Sequence, residues 1–488
     1  MIKPSATNGG VHSLAGRALL SGAAYFPRLR LQRREIAAAL AWMQPPRRGI
    51  PSGARAVANW DEDALTMAVE AARGCLRAHN APRVEAALFC STTSPFADRD
   101  PAGILCAALD LPCSCATMNF GGSLRAGVAG LVEAARRGGT NLVMASELRL
   151  TRPGSAQELL YGEGAAALCV GDADGSELAE LLANASIGAD FVDHYRASGN
   201  EFDYALEERW VRDESLLKLA PEVISKLLDA AGSSAADIAH LALPFSGSTA
   251  ARIAQAAGLA AAHREERVFE HGGDCGAALP LCQLLGCLAR AKPGELLLLL
   301  GIGQGVDAVL LRAGSGSGVD LIERALARQQ AESSYVRYLS HRNLIEVDFG
   351  MRAERDERTA HTVAYRKRAA VTSFVGGRCE RCGTVQFPRS RVCVNPDCRA
   401  TDSQLAHRLA DSVGRVKSFT EDWQAFSVRP PFIYGNVEFR EGGNLLMEIA
   451  DAASGEIKVG DEVRFVFRIK DLDRARHFRR YFWKATSV

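Results

Sequence analysis

The sequence predicts a duplicated α/β domain followed by a small cysteine-rich ribbon and a β-barrel. The first part of the chain, to about residue 313, repeats one order of helices and strands. Four of the thirteen cysteines are clustered between residues 379 and 398. Strand-length apolar stretches separated by glycine-containing turns follow that cluster. Alternating helices and strands predict a mostly parallel sheet covered by helices, whereas short strands alone predict a barrel.

Composition excludes several classes of protein. The chain has 488 residues, of which 47% are hydrophobic and 24% charged, which is ordinary for globular domains. A formal net charge of +1 provides no global field that would attract nucleic acid or an anionic membrane. The longest apolar run, 296–302, is far shorter than the about 20 residues of a membrane span. Nine cysteines are dispersed through apolar stretches, as in a reducing compartment. We expect a cytoplasmic protein that binds neither membrane nor nucleic acid.

The repeat has two copies whose matching elements lie about 150 residues apart. Both contain helices and strands in the same order, and a glycine pair precedes one helix in each copy. In such folds, sites gather at strand ends and at helix N-termini. The elements predicted in the first copy are a helix over 61–78 with Asp61 as its cap, a strand over 86–90, a helix ending at 107–111, a helix over 123–136 opened by Gly121 and Gly122, and strands over 141–145 and 164–170. Those predicted in the second copy are a helix over 221–231, a strand over 239–244, a helix ending at 255–259, a helix over 277–291 after Gly272 and Gly273, and strands over 296–300 and 306–311.

The clustered cysteines have the spacing of a metal site. Cys379 and Cys382 form a CxxC pair, and Cys393 and Cys398 form a second pair across four residues. Two thiolate pairs on tight turns suit tetrahedral Zn²⁺ with four sulfur ligands. Four protein ligands leave no open position for a substrate, so the predicted zinc is structural. The barrel strands are predicted over 412–419, 432–440, 444–449 and 462–469, a number and length typical of an OB-fold.

Several motifs resemble the thiolase superfamily, with HMG-CoA synthase and ketoacyl synthase III as the most similar branch. The motifs are AGRALLSGAAYFPRLRL, AVANWDEDALTMAVEAA, FGGSLRAG, YGEGAAAL and LLLLLGIGQGVDAV. The C-terminal part resembles the zinc-ribbon/OB proteins found beside thiolases and archaeal HMG-CoA synthases. The resemblance implies a thiolase-like αβαβα domain with halves at 1–178 and 179–315, a helical linker at 316–372, a rubredoxin-like zinc ribbon at 373–408 and an OB-fold at 409–488.

The resemblance also implies an activity and a set of site residues. It implies a homodimer that takes an acyl-CoA, a coenzyme A thioester, as substrate and makes or breaks carbon–carbon bonds next to the thioester. A second thiolase is a further candidate partner. Substrate-binding positions are expected at Thr92, Gly121, Gly122, Gly303 and Gly305.

The catalytic slots of the resembling families hold other residues here. The cysteine slot, in TMNFGG, holds Asn119, which cannot form an acyl-enzyme. The glutamate slot lies near Thr92, and the histidine slot holds Leu243 or Pro244. A fourth slot, which holds an asparagine in ketoacyl synthases, lies in the turn HGGDCGAA and offers Asp274 and Cys275.

Three interpretations remain open on the sequence alone. An active enzyme can dispense with the cysteine and use Asp274 as a general base, as a retro-aldol cleavage of a β-hydroxyacyl-CoA would require. Alternatively, Cys275 replaces the missing nucleophile at a helix N-terminus. In the third interpretation, the protein is a non-catalytic scaffold that binds coenzyme A or a partner thiolase. Asn119 is a candidate oxyanion hydrogen-bond donor under the first interpretation. We favour an acyltransferase of the thiolase-like class, with the carbon–carbon lyase second.

Two charged, aromatic segments have competing interpretations. For residues 191–214, we favour a solvated amphipathic helix over a substrate-contacting loop. The basic tail 468–484 has the chemistry to stack bases or to hold a coenzyme A phosphate, but we favour packing against its own protein.

Overall fold

The computed structural model describes residues 10–43, 52–78, 83–316, 322–353, 358 and 360–488. They separate into two units. The first takes its residues from positions up to Ala58, from Asp63–Gly103 and from Pro112–Tyr338. The second consists of Asn59–Glu62, Ile104–Leu111 and Leu339–Val488. None of the helices in the described ranges combines the length and apolar character that a membrane crossing requires.

The described chain forms strands β1 to β23 and helices α1 to α14. The strands in chain order are Val11–Tyr25, Leu29–Gln32, Ala54–Val57, Ala86–Cys90, Ala116–Phe120, Asn141–Leu148, Glu163–Asp172, Ala179–Gly188, His194–Tyr195, Tyr204–Ala205, Ile238–Ala242, His263–Arg264, Leu296–Ile302, Gly305–Ala313, Gln330–Glu332, Val375–Cys379, Val385–Gln386, Gln404–Arg408, Gly414–Asp422, Phe432–Phe439, Asn444–Glu448, Glu462–Asp473 and Phe478–Ser487. The helices are Arg33–Ala39, Ala64–Ala78, Pro101–Leu109, Ala126–Arg136, Gln157–Leu160, Glu208–Val211, Leu217–Ala231, Gly247–Ala256, Arg267–Gly272, Leu279–Leu288, Glu323–Ala327, Tyr335–His341, His361–Arg366 and Arg368–Val371.

A ten-stranded sheet of the first unit displays the predicted duplication. Its strand order is β12-β11-β13-β14-β8-β1-β7-β6-β4-β5. On one side of the β1–β8 pair, β4 is parallel to β5 and β6, while β7 is antiparallel to β6 and β1. On the other side, β11 is parallel to β12 and β13, while β14 is antiparallel to β13 and β8. The two halves therefore repeat one topology, which confirms the duplicated α/β fold.

Both faces of this sheet are covered, which explains the continuous apolar strands. Along β13, Leu297 and Leu299 lie in a core cluster with α4 and α10, whereas Leu298 and Leu300 lie in a second cluster with α7 and α8. A strand buried on both sides needs apolar residues at successive positions rather than at alternate ones. Helix α4 passes so close to the turn before α10 that a Cβ on Gly127 would lie 2.1 Å from the backbone oxygen of Ala277.

Two local predictions in the first unit are wrong. The predicted cap Asp61 does not begin helix α2, because the side chain of Asp63 accepts the backbone N–H groups of Leu65 and Thr66 instead. Residues 191–214 form the two-stranded β9–β10 hairpin and the short helix α6 rather than one amphipathic helix. Within the predicted linker, β15 adds a parallel strand to β2, so that segment contains sheet as well as helix. The domain boundaries remain predictions.

The second unit contains two antiparallel sheets. The first has the strand order β17-β16-β18 and carries the cysteine cluster, and the second has the order β21-β20-β19-β22-β23. The hairpin of β22 and β23 contains the segment that the sequence analysis treated as a basic tail. Arg468 and Lys484 of that hairpin are buried within the unit.

Buried ion pairs of the second unit centre on these two cations. Lys484 donates to Asp61 Oδ2 at 2.9 Å and lies 2.8 Å from Glu448 Oε2. Its ammonium also lies 4.4 Å from the centre of the Trp60 ring. Arg468 pairs with Asp451 at 2.9 Å and with Glu62 at 3.1 Å. A buried charge is tolerated only when partners compensate it, so these contacts are what permits the tail to be internal.

Candidate functional site

Hydroxyl groups at the end of β4 hold a buried carboxylate at the end of β6. The backbone N–H and the hydroxyl of Thr92 donate to Glu147 Oε1 at 2.7 and 3.0 Å. Thr93 donates to Glu147 Oε2 through its hydroxyl. Burial raises the pKa of Glu147, and the hydrogen bonds from Thr93 and Thr92 oppose that rise. The predicted substrate-binding residue Thr92 therefore holds a carboxylate of its own protein.

Next to this carboxylate, one guanidinium bridges two aspartates. Arg149 Nη1 lies 2.7 Å from Asp274 Oδ2, and Nη2 lies 3.3 Å from Asp203 Oδ2. Burial lowers the pKa of Arg149, but the neighbouring groups Asp274, Tyr161, Asp203 and Glu147 together outweigh this and hold that pKa above its usual value. The guanidinium carbon stacks 3.3 Å from the Tyr161 ring centre, and the Tyr161 hydroxyl donates to Asp203 at 3.3 Å.

Asp274 has a structural contact in addition to this ion pair. Its Oδ1 accepts the backbone N–H of Gly276 at 2.8 Å, at the turn that leads into α10. Its side chain is 23% exposed, whereas the side chain of Arg149 is 3% exposed. Asp274 thus both holds the turn before α10 and forms the partly accessible end of a buried ion pair.

The predicted glycines lie in the turns around this cluster. A Cβ on Gly121 would lie 2.9 Å from the backbone oxygen of Ser91. The hydroxyl of Ser123 donates to the backbone oxygen of Gly303 at 2.6 Å, which joins the turn before α4 to the β13–β14 turn. Gly305 has a φ of 128°, in the region that favours glycine. Gly122 also has a positive φ, and α4 begins only at Ala126 rather than at the predicted 123.

Asn119 is held away from the bridged aspartates by its own hydrogen bonds. It lies on β5, at the edge of the ten-stranded sheet, rather than at the first turn of α4. Its side-chain nitrogen donates to Asp100 Oδ1 at 2.8 Å, and its oxygen accepts the N–H of Ala102 at 3.1 Å. Thr117, two residues earlier on the same strand face, donates to Asp100 as well. These contacts occupy both the side-chain nitrogen and the side-chain oxygen of Asn119. They hold this side chain at the start of α3 rather than leaving it free as an oxyanion donor.

Cys275 does not have the environment of a nucleophile. Its side chain is completely buried, and a hydrogen bond that its thiol donates to Cys282, together with burial, raises the pKa of that thiol well above the usual value. A reactive cysteine needs exposure and a lowered pKa. Six further cysteines outside the ribbon are also buried, namely Cys75, Cys90, Cys106, Cys169, Cys282 and Cys287.

The insertion between the two halves forms one wall of a cavity. The cavity has a volume of about 470 Å³ and is lined by residues of the 150–161 segment and of the β9–β10 hairpin, including Tyr161 and Asp203. Two contacts join the insertion to the turns described above. Arg196 donates to the backbone oxygen of Thr92, and Gln304 Nε2 donates to Asp193 Oδ1 at 2.8 Å. His194 Nδ1 lies 3.1 Å from the same Asp193 oxygen.

The four cysteines of the ribbon have the geometry of a zinc site. All four sulfur atoms lie within 4.8 Å of one another, with Cys379 and Cys398 at 3.9 Å and Cys382 and Cys393 at 3.5 Å. Tetrahedral zinc with Zn–S bonds of about 2.3 Å requires sulfur separations of roughly 3.8 Å. Gly383, with a φ of 76°, donates its N–H to the Cys379 carbonyl at 2.8 Å and closes the first turn. The donor set and spacing therefore fit Zn²⁺, and four protein sulfurs leave it a structural role.

Sequence reasoning missed Glu147, Arg149 and Asp203. Their ion pairs and hydrogen bonds join residues 42 to 125 positions apart, which no local pattern reveals. One signal was available for the first two, because the apolar strand NLVMA continues directly into SELRL. Charged residues at the carboxyl end of a buried strand indicate paired groups at a site.

Comparison with known proteins divides the chain in the same way. The family described as "ChsH2, rubredoxin-like zinc ribbon domain" matches residues 366–403, and "ChsH2, C-terminal OB-fold domain" matches residues 407–468. A DUF35 domain-containing scaffold protein of Methanothermobacter thermautotrophicus is 31% identical over 99 residues, which cover 20% of this chain and 72% of that protein. A hydroxymethylglutaryl-CoA synthase of Aeropyrum pernix is 28% identical over 365 residues, which cover 70% of this chain and 97% of that enzyme.

Solved structures extend the similarity of the first unit. MvaS in complex with 3-hydroxy-3-methylglutaryl coenzyme A superimposes with a TM-score of 0.55 at 19% identity and covers 68% of this chain and 93% of MvaS. The 3-oxoacyl-(acyl carrier protein) synthase III FabH of Pseudomonas aeruginosa gives a TM-score of 0.53 at 20% identity, with 62% and 99% covered.

The N-terminal part therefore has a thiolase-like fold of the HMG-CoA synthase and FabH type, joined in one chain to a zinc ribbon and an OB-fold. Over those C-terminal domains, the chain belongs to the family of DUF35 domain-containing scaffold proteins.

Proposed function

We propose that the protein is an acyl-CoA-processing enzyme of the thiolase-like condensing class that works without a cysteine nucleophile. The reactions open to it are acyl transfer and the formation or cleavage of a carbon–carbon bond next to a coenzyme A thioester. The observation that carries the proposal is Arg149, which holds the partly exposed carboxylates of Asp274 and Asp203 beside a cavity. The hydroxymethylglutaryl-CoA synthase relatives support coenzyme A thioesters as its substrates.

The charges of this site suit proton transfer. Two carboxylates share one guanidinium, so the ion-pair cluster keeps one negative charge when both carboxylates are ionised. A carboxylate in such a place is a general base, and Asp274 is the more exposed of the two. Burial raises the pKa of Tyr161, so its hydroxyl stays protonated at neutral pH.

Among the reactions of the class, the geometry favours carbon–carbon cleavage of a β-hydroxyacyl-CoA and its reversal. The base takes the proton of the β-hydroxyl group, and the electrons of the breaking bond between the α and β carbons pass to the α carbon. The products are an aldehyde or ketone and the enolate of the shorter thioester. The proton held by the base then returns to the α carbon. This sequence needs no acyl-enzyme, and the buried thiol of Cys275 is not required.

A non-catalytic scaffold is the second candidate. It is supported by the DUF35 scaffold relatives, whose similarity covers the C-terminal domains. It is also supported by Asp274 itself, because the N–H of Gly276 and the guanidinium of Arg149 account for both of its oxygens without any substrate. Under this proposal, the chain binds a coenzyme A thioester or a partner thiolase.

A homodimer is part of the proposal. Strand β5 is an edge of the ten-stranded sheet, and an exposed edge offers unpaired backbone groups to a second chain. The side chains of Thr117 and Asn119 are exposed on that edge strand. Pairing of two β5 strands would protect this edge.

The test is incubation of the full chain with a panel of acyl-CoAs that includes acetyl-CoA and a β-hydroxyacyl-CoA. Intact-protein mass spectrometry measures covalent acyl adducts, while parallel assays measure free coenzyme A and released aldehyde or ketone. Carbonyl product without an adduct is the expected result. An acyl adduct on any cysteine would contradict a cysteine-independent reaction.

The matched variants are Asp274→Asn and Asp213→Asn. Asparagine keeps a side-chain oxygen that can accept the Gly276 N–H, so Asp274→Asn removes the charge and retains this turn contact. Loss of a general base lowers the turnover rate by about 10²–10⁴-fold. The variant also removes one carboxylate partner of the buried Arg149, which keeps Asp203, so circular dichroism and the melting temperature establish that it is folded. Asp213 pairs with Arg212 at the surface, and its variant should keep full activity. Binding of acyl-CoA without product from any thioester would favour the scaffold.

A further inference from the structure

Four aromatic rings line the 470 Å³ cavity, and the β9–β10 hairpin contributes three of them. These rings are Tyr161, Tyr195, Phe202 and Tyr204. Tyr195 and Tyr204 face each other across the hairpin with ring centres 5.5 Å apart, and Arg152 lies 5.5 Å from the centre of the Phe202 ring. Aromatic faces bind flat rings through offset or edge-on packing. This wall is therefore suited to a ring rather than to a short aliphatic chain.

The volume of the cavity points in the same direction. Pockets for ligands of moderate size have volumes of about 300–1,000 Å³. A two-carbon acetyl group would leave most of this cavity to water. The space thus fits a larger acyl group than those of the simplest thioesters.

One carboxylate oxygen of the cavity wall is available to a donor. Within the described part of the chain, the contacts of Asp203 with Arg149 and with the Tyr161 hydroxyl both involve Oδ2. An ionised carboxylate accepts hydrogen bonds at both oxygens, so Oδ1 has capacity for a donor from a ligand. The Asp203 side chain is 17% exposed and lines the cavity, so that oxygen is accessible. A ligand hydroxyl is the neutral donor of suitable size.

We propose that this cavity binds the acyl part of the thioester and selects an acyl group that carries a flat ring and a second hydroxyl, distinct from the reacting β-hydroxyl, with this second hydroxyl donating to Asp203. The inference rests on the proposed function and adds its substrate class. Asp203 is then a specificity-determining residue, because it contacts the substituent that distinguishes a hydroxyacyl group from its deoxy analogue. Phe202 is likewise a specificity-determining residue, because it contacts the ring of the acyl group.

The test is isothermal titration calorimetry of the full chain with three thioesters. These are 3-hydroxy-3-(4-hydroxyphenyl)propanoyl-CoA, its deoxy analogue 3-hydroxy-3-phenylpropanoyl-CoA, which lacks the ring hydroxyl, and acetyl-CoA. Titrations are made with the natural protein and in the Asp274→Asn background, which prevents turnover. The hydroxylated aromatic thioester should bind about tenfold more tightly than its deoxy analogue, as a hydrogen bond to a charged group allows. The protein should bind acetyl-CoA more weakly than the deoxy analogue, by a further factor of about ten.

Two variants assign each preference to its residue. Asp203→Asn should reduce the preference for the hydroxyl to less than about threefold and leave the preference for the ring. Phe202→Leu should reduce the preference for the ring and leave the preference for the hydroxyl. Phe191→Leu is the matched control, because Phe191 stacks on Trp210 in the same insertion but does not line the cavity. Circular dichroism establishes that each variant is folded.

The outcomes separate this inference from the proposed function. Equal affinities for the three thioesters, or preferences that survive both variants, would overturn the cavity assignment even where Asp274-dependent turnover is observed. Preferences that depend on Asp203 and Phe202, with no turnover of any thioester, would support the cavity and contradict the proposed chemistry.

Discussion

Replacement of Lys484 by methionine is predicted to destabilise the strands of the second unit selectively. Methionine keeps most of the volume of lysine but removes the ammonium that lies 2.9 Å from Asp61 and 2.8 Å from Glu448. Both carboxylates are buried, and removal of one partner from a buried ion pair costs about 3–5 kcal/mol. The equilibrium constant for local opening should therefore rise by roughly 10²–10⁴-fold.

The same contacts predict a pH dependence. Burial raises the pKa of Glu448, but the ammonium groups of Lys484 and Lys470 outweigh it and lower that pKa from 4.5 to about 2. Because the folded-state pKa lies below the unfolded one, the stabilisation is present above pH 4.5 and is lost as the pH falls from about 4.5 to 2. It amounts to about 3 kcal/mol at neutral pH. Glu448→Gln should abolish this part of the pH dependence.

The assay is hydrogen exchange measured by mass spectrometry on peptides that contain β21 and β23. A global free energy of unfolding is poorly defined for a chain of two units, whereas peptide-resolved exchange reports the opening of these strands directly. Lys458→Met is the matched control, because Lys458 is exposed. The reasoning is refuted if Lys484→Met and Lys458→Met exchange alike, or if Glu448→Gln and the natural protein lose protection over the same pH range.

Three further results are expected. Removal of zinc by a chelator should abolish hydrogen-exchange protection over residues 375–408, and added Zn²⁺ should restore it. The reason is that metal binding contributes about 10–16 kcal/mol to the folding of such small sites. Unchanged protection would exclude a structural metal. Iodoacetamide should alkylate the exposed Cys113 well before Cys275, whose thiol is buried with a raised pKa, and peptide mapping measures the order. Gly127→Ala should destabilise the first unit by about 1–3 kcal/mol, because the new Cβ would lie 2.1 Å from the backbone oxygen of Ala277. In the control variant Gly138→Ala, the new Cβ enters open space, so the melting temperature should change little.

The elements that sequence patterns predicted well are those whose signal is local. Ala86–Cys90 was predicted to the residue and Leu296–Ile302 to within two, because each is an apolar run bounded by turn residues. Strands β1 and β8 were not predicted as strands. They contain many small residues, such as the AELLANASIG of β8, and their strand identity comes from pairing at the centre of the sheet rather than from β-propensity.

The position of the candidate site was predictable from the sequence, but most of the residues that form it were not. Asp274 and Thr92 were singled out from turns at strand ends, where such folds concentrate polar groups. Their partners were not, because Arg149 and Glu147 become significant only when β6 is placed beside the turns that carry Asp274 and Thr92. The hydrogen bonds of Asn119 were not predictable for the same reason, since Asp100 lies 19 residues away in the chain and holds its side chain.

The duplication has a consequence for how the protein can be divided. Arg149 belongs to the first half of the repeat and Asp274 to the second, so neither half alone contains the bridged pair of aspartates. The two halves meet along β1 and β8, as two subunits would. The chain can therefore be divided near residue 175 for a fragment-complementation experiment. Each of the two polypeptides should be inert alone, and the ion pair should form only when both are co-expressed and reassemble.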